Sequence, residues 1–467
     1  MLGANKNIPE FLQVICSQIR YKSVHKSIVN ELSDHIEEQK QEYIRQGFCE
    51  ETAEVKAIEQ MGDPVIVGKQ LDNTHRPKTE WSILSLAAVL VVIGGAVQFL
   101  LSRSGLRSSD MFSTFLIYAP VGIVAFLVTY FFDYTLIGRY SKLIYSILFA
   151  MTILDFFILD KVNGAYPHVY HATLLFIPVF GGIIYGFRNS GYLGIIACGI
   201  FYFGVALICI ISPRITGLVI FTISSLIILT IAIMKGYFRC NKKVGLAIVY
   251  VPTIIGALLS MSLLFLSSPY RRARLSLLFN PELDPSGAGW QHLMVKRLFS
   301  ASQPFGEAVL DGSFSNMPIN QLLPGWETDF SLTFIIAKLG YVTGFSIVAI
   351  ILILIIRIFI SVIKQKNAFG FLISLAACIS MTSQFILYVL SNIGLIAPFP
   401  STLPFISFGG MGFVVNMILL GIVLSVYRRS NLVFDKLQSI PYNKRLFTFE
   451  NGKLIIDLGI NASKEDN

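Results

Sequence analysis

Charge is scarce in this chain. Only 14% of its 467 residues are Asp, Glu, Lys or Arg and 54% are hydrophobic, against about 25% charged in a soluble domain, which excludes a soluble globular protein. Acids are scarcer than bases, 28 against 37, for a formal net charge of +9. Six cysteines, Cys16, Cys49, Cys198, Cys209, Cys240 and Cys378, are spread without the spacing of a disulfide framework or a zinc site. There is no phosphate-binding loop of the Walker type, no dinucleotide fingerprint and no zinc-protease motif, so nothing points to chemistry driven by bound nucleotide. The first 80 residues contain no apolar run long enough to span a membrane, so no cleavable signal peptide is expected at the start.

What is abundant is apolar sequence in lengths of about 20 residues, enough to cross roughly 30 Å of hydrocarbon as helix. Such runs lie at about 82–102, 112–133, 141–159, 171–187, 191–212, 215–234, 245–267, 330–356, 369–397 and 404–427. The expected fold class is therefore all-α: a polytopic membrane protein with about ten transmembrane helices. Pro178 with Gly181 and Gly182 interrupts the fourth run.

Short cytoplasmic loops carry the Lys and Arg excess. With the N-terminus inside, the inner loops hold Arg139, Lys142, Arg188, Lys235, Arg239, Lys242, Lys243, Arg357, Lys364, Lys366, Arg428 and Arg429, whereas the short outer loops hold Arg103, Arg107, Lys161 and Arg214. Both termini are thus expected in the cytoplasm, with a long loop of about 268–329 between helices 7 and 8 on the outside. The positive charge reads as topology and not as nucleic-acid binding.

Residues 1–80 are polar and rich in Glu, Lys and Gln, and read as a small cytoplasmic helical domain. Ile28, Leu32, Ile36 and Ile44 recur near helical spacing, Gly47 offers a stop, and a second helix runs through Val55, Ile58 and Met61 to Gly62-Asp63-Pro64. The segment from Glu31 to Glu38, with Met61-Gly62-Asp63-Pro64 after it, resembles the helical prefix domain ahead of many permease-like membrane proteins of Gram-positive bacteria. Asp34 and His35 read as part of a solvated helix face. Residues 431–467 are expected as a cytoplasmic tail.

Chemistry is then sought in the outer loop and the helix ends around it. Arg271, Arg272 and Arg274 follow the seventh helix; guanidinium groups there suit either bidentate phosphate binding or anchoring to lipid headgroups. Asp329, in Leu322-Leu323-Pro324-Gly325-Trp326-Glu327-Thr328-Asp329-Phe330, ends an acidic loop just before an apolar run. A carboxylate there is either a helix cap or a catalytic group at the membrane surface.

Arg274 to Gln291, Leu323-Pro324 with Thr328-Asp329-Phe330, Leu339-Gly340-Tyr341, Asn392-Ile393-Gly394 and Leu403-Pro404-Phe405-Ile406-Ser407-Phe408-Gly409-Gly410 resemble, in order and separation, successive motifs of the shape, elongation, division and sporulation (SEDS) proteins, whose members include FtsW, RodA and SpoVE. The resemblance is strong over about 245–430 and mostly topological from 82 to 244. It implies a peptidoglycan glycosyltransferase that polymerises lipid II outside the plasma membrane beside a class B penicillin-binding protein. Asp329 matches the family's essential aspartate, the implied general base. Arg274, Gln291, Ser407, Gly409 and Gly410 are the implied substrate contacts, the first two equally readable as residues that structure the loop and the last three bringing backbone N–H groups toward a lipid diphosphate. Tight helix packing explains the same small residues. A divalent cation, Mg or Mn, is implied by the family only, since no ligand cluster stands out in the sequence.

Several positions depart from the family. Ala337 and Lys338 stand where acids are common, and a Lys in the eighth helix needs a partner, for which Asp155 is a candidate. Arg214 lies where the family motif has an acid, Glu307 replaces the Lys of a Gly-Lys-Gly, and Glu327 stands where His is frequent. Two other readings remain: a flippase for a lipid-linked precursor, and a non-catalytic scaffold of a wall-synthesis complex.

Overall fold

The computed structural model describes residues 7–22, 25–75, 78–103, 109–161, 166–212, 215–267, 276–277, 280–287, 289–315, 317–430, 447–450 and 453–456. The chain divides into two compact units, one of Met1–Thr79 with Arg428–Phe434 and one of Glu80–Tyr427 with Asp435–Asn467.

The first unit holds four helices, α1 (Ile8–Gln18), α2 (His25–Arg45), α3 (Glu50–Met61) and α4 (Pro64–His75). The sequence pattern suggested two. Gly62-Asp63-Pro64 closes α3 and also opens α4: Pro64 takes the first helical position and the Asp63 carboxylate accepts from the Val65 N–H at 2.7 Å. Phe11, Leu12 and Ile15 of α1 close over Ile28, Leu32 and Ile36 of α2 and Ala57 and Ile58 of α3. Burial of each large side chain there contributes about 1.5–3 kcal/mol. Asp72 of α4 is buried and receives the Arg20 backbone N–H at 3.0 Å and its guanidinium at 3.1 Å.

The second unit contains α5 (Trp81–Arg103), α6 (Ser109–Phe131), α7 (Thr135–Arg139), α8 (Ser141–Ile158), α9 (Pro167–Gly186), α10 (Gly191–Ile211), α11 (Ile215–Met234) and α12 (Lys242–Ser267), then α13 (Trp290–Ala301), α14 (Ile319–Leu322), α15 (Ser331–Leu339), α16 (Tyr341–Ile363), α17 (Ala368–Asn392) and α18 (Gly410–Arg428). Ten of these, α5, α6, α8 to α12 and α16 to α18, are long and apolar enough to cross a membrane. Among the described residues the only strands are an antiparallel pair, β1 (Phe447–Glu450) and β2 (Lys453–Ile456). The remainder of the sequence's 431–467 tail lies outside the described residues.

Most residues of α9, α17 and α18 are buried, whereas few of those in α6 and α12 are. α9 packs against α8, α10, α11 and α17. Its Pro178 and glycine pair do not interrupt it: Gly181 lets the α17 backbone approach, and a Cβ there would meet the Leu372 carbonyl oxygen at 3.2 Å.

The expected span of 330–356 is in fact two elements. The apolar run is continuous, but the chain breaks at Gly340, which has φ +94°. Segment 303–308 lies against the break: Gly306 N–H donates to Leu339 O at 3.3 Å, Ala308 N–H to Ala337 O at 2.7 Å and Tyr341 N–H to Gln303 O at 2.9 Å. The eighth membrane helix is therefore α16, and the nine-residue α15 stands apart, with Ser331 to Ala337 buried. A Cβ on residue 340 would come 2.5 Å from Pro304 O and 2.7 Å from Phe305 Cα, on top of an unfavourable φ. Gly340→Ala is expected to lower stability by about 1–3 kcal/mol, read as a lower Tm of the detergent-solubilised protein.

Candidate functional site

α15 carries Asp329 just ahead of its first turn. The Leu-Pro-Gly sequence sets the approach: Gly325, at φ +83°, turns the chain so that the Thr328 and Phe330 N–H groups both donate to its carbonyl at 3.1 and 3.0 Å. The N-cap position of α15 belongs to Phe330, whose own side chain makes no capping hydrogen bond. Asp329 is half-buried, between apolar anchors: Phe330, Trp326 and Leu323 are all buried, and the Trp326 ring lies 4.5 Å from that of Phe334.

Two polar side chains of α17 fix this turn. Asn392, fully buried, donates from Nδ2 to Asp329 O at 2.9 Å and to Tyr388 O at 3.0 Å, while its Oδ1 accepts the Thr333 N–H and hydroxyl, both at 3.0 Å. The Tyr388 hydroxyl accepts the Leu332 N–H at 3.2 Å and bonds the Ser331 hydroxyl at 2.7 Å. Asn392 was legible only as part of a motif, and Tyr388 was not recognised. Yet Ser380, Gln384, Tyr388 and Asn392 recur at intervals of four, all fully buried, which is a polar stripe on one face of an otherwise apolar helix.

Ser407 joins the same frame. Its hydroxyl accepts the Leu403 N–H at 2.9 Å and lies 2.6 Å from Ser331 Oγ and 3.3 Å from the Tyr388 hydroxyl. Phe408 N–H donates to Glu327 O at 3.0 Å, tying the Asp329 loop to the segment that opens α18. Gly409 has φ +139°, and Gly410 starts α18 face-on to the Tyr118 ring. Gln98, Thr114, Tyr118, Ser407, Gly409 and Gly410 line a narrow crevice of about 20 Å³.

From the loop helix α13, Trp290 Nε1 donates to Leu322 O at 3.0 Å and Gln291 Nε2 to Pro324 O at 3.4 Å. The next residue, His292, bonds Gly394 O through Nε2 at 3.2 Å. Burial, with Lys296 nearby, holds the His292 imidazole below its ordinary range. The first turn of α13 thus grips both the chain before Asp329 and the turn after Asn392. Arg274, with Arg271, Arg272 and Arg214, lies outside the described residues.

Lys338 is not within a membrane-length helix, and its salt-bridge partner is not Asp155. The break at Gly340 brings Lys338 beside segment 303–308, where Nζ pairs with Glu307 Oε2 at 2.7 Å. With side chains 37% and 53% exposed, this pair contributes at most about 1 kcal/mol. Ala337, its neighbour, is buried and presents only its carbonyl to Ala308.

A cation-assisted reaction would call for converging ligands. Among the described residues no three His, Cys, Asp or Glu side chains come together, so no step is drawn through a metal.

A ten-span helical bundle with a half-buried carboxylate at the head of a short broken helix defines a polytopic membrane protein with a polar site at one end. The family described as cell cycle protein, that of FtsW, RodA and SpoVE, matches residues 187–432. That is more than half of the sequence, and the chain belongs to this family. It is 29% identical over 163 residues to a probable peptidoglycan glycosyltransferase FtsW of Trichlorobacter lovleyi, covering 35% of this chain and 42% of that protein. It is 26% identical over 196 residues to the peptidoglycan glycosyltransferase MrdB of Escherichia coli K12, covering 41% and 50%. The chain spans about half the length of these curated relatives. One chain of a peptidoglycan synthase complex that coordinates polymerisation and crosslinking superposes with a TM-score of 0.61 at 15% identity, covering 75% of this chain and 98% of that one. An aspartate-to-alanine variant of the rod-shape-determining protein RodA of Thermus thermophilus gives 0.50 at 14%, covering 75% and 97%. These likenesses establish the fold.

Proposed function

We propose that the chain is a peptidoglycan glycosyltransferase that polymerises lipid II at the outer face of the plasma membrane, in cell shape, division or sporulation. The observation that carries this reading is the position of Asp329: a half-exposed carboxylate whose backbone is pinned from α17, in a member of a family whose relatives carry that activity in their names. A base works when it is held still and remains reachable.

Asp329 takes the proton from the 4-hydroxyl of the acceptor N-acetylglucosamine. That oxygen attacks the anomeric carbon of the donor N-acetylmuramic acid, its bond to the carrier breaks, and undecaprenyl diphosphate departs with the electron pair. Inversion follows from a single displacement. Arg274, Gln291, Ser407, Gly409 and Gly410 are the assigned substrate contacts, of which Ser407 also fastens the frame. The diphosphate gathers negative charge as it leaves, so fixed cations and N–H dipoles favour its departure.

In this reading both termini are cytoplasmic, residues 1–80 form a cytoplasmic docking module, and a class B penicillin-binding protein is the partner on the outer side. The test is purified protein in liposomes supplied with lipid II. Glycan strands are the expected product, whereas lipid II crossing the bilayer without strands would favour a flippase.

A further inference from the structure

Between Ser85 and Ser102, α5 has a single polar side chain, Gln98. An amide inside an apolar helix is costly unless it is paired. Gln98 is buried and donates from Nε2 to Ile406 O at 2.8 Å, a contact across 308 positions of the chain. One turn earlier on the same face stands Gly94, where a Cβ would come 2.3 Å from Phe405 O. The two residues form a notch that seats consecutive carbonyls: the glycine leaves room for the first and the amide pairs with the second. The seated backbone is not one the chain adopts unaided. Phe405 has φ +67°, a left-handed conformation that is rare for a bulky residue and persists only where its surroundings fix it.

The next two residues carry the consequence. Ser407 Oγ lies 2.6 Å from Ser331 Oγ, and Phe408 N–H donates to Glu327 O at 3.0 Å. These contacts meet the chain two residues after and two residues before Asp329. We infer that Gln98, with Gly94 one turn away, is a positioning residue for Asp329: α5 fixes the Phe405–Ile406 turn, and that turn delivers Ser407 and Phe408 to the two flanks of the carboxylate. This rests on the reading of Asp329 as the base. α17 holds the same loop through Asn392 and Tyr388, so α5 supplies a second anchor from a different part of the bundle.

Gln98 acts on this segment and not on substrate. The crevice it lines beside Ser407 and Gly409 has a volume of about 20 Å³, the scale of one water and too small for a saccharide. A glutamine that served only to hold the bundle together would affect every packed helix alike. The Gln98 amide instead bonds one carbonyl, that of the residue just before Ser407.

Hydrogen exchange of the full-length purified chain in detergent, followed by mass spectrometry, reads the link. Gln98→Met keeps the length of the side chain and removes its donor, whereas Gly94→Ala keeps the donor and drives a methyl against Phe405 O. Either variant suffices if the other does not fold. In both, amides of 403–410 and of 325–333 should exchange about tenfold faster or more, while peptides of α9 and α11 keep the parent's rates. Strand synthesis from lipid II should show kcat lower by about ten- to a hundredfold with KM within a few-fold. Faster exchange confined to 403–410, with 325–333 and kcat as in the parent, would overturn the inference. Exchange unchanged in both segments would do the same, as would faster exchange throughout the membrane helices, which marks a general loss of stability. Faster exchange at 325–333, in a protein whose parent makes no strands, would instead retain the α5 link and remove the glycosyltransferase reading.

Discussion

Asn392→Leu should both destabilise the protein and nearly silence it. The substitution keeps the volume but removes four hydrogen bonds, leaving Asp329 O and the Thr333 N–H buried without the partners they have from Asn392. Orphaned backbone groups at about 1–3 kcal/mol each place the loss near 3–5 kcal/mol. The Asp329 turn would then be held mainly by Tyr388, and displacement of a catalytic group by about 1 Å costs on the order of a hundredfold in rate. Thermal unfolding in detergent and strand synthesis should fall together. A parental Tm would show that the Asn392 frame does not carry the turn.

Asp329→Asn separates chemistry from structure. The amide has the shape of the carboxylate but accepts no proton, so kcat should drop by roughly 10² to 10⁴ while KM stays within a few-fold. Phe330, Trp326 and Leu323 keep their burial and the backbone carbonyl keeps Asn392, so Tm should change little. A loss smaller than tenfold would assign Asp329 a role other than base.

The membrane spans were legible because hydrocarbon imposes a length and an apolar composition that few other structures share. The break before α16 was hidden for the same reason: 330–356 reads as unbroken apolar sequence, and what divides it is tertiary contact with residues 303–308. Lys338 was misplaced as a consequence, since its partner Glu307 is 31 positions away and adjacent only once the chain turns at Gly340. In the N-terminal unit, Gly62-Asp63-Pro64 does stop α3, and the same Asp-Pro pair is chemically a good start, which gives α4. For the site, Asp329 and the Asn392 and Ser407 motifs could be read from the family pattern. Tyr388 and Gln384 could have been found as polar residues four apart inside an apolar run. What no pattern supplied was the pairing of Tyr388 with the Leu332 N–H, 56 residues away, and of Gln384 with Thr402 O, 18 residues away, which only the packed helices create.

The central claim is a single displacement at the anomeric carbon, with Asp329 as base. It is tested most directly by supplying purified protein with lipid II and determining the configuration of each new glycosidic bond by NMR. Strands whose every new linkage is inverted relative to the donor are expected. Strands with retained configuration, which a single displacement from the opposite face cannot give, would contradict the account, as would no strands at all from folded protein.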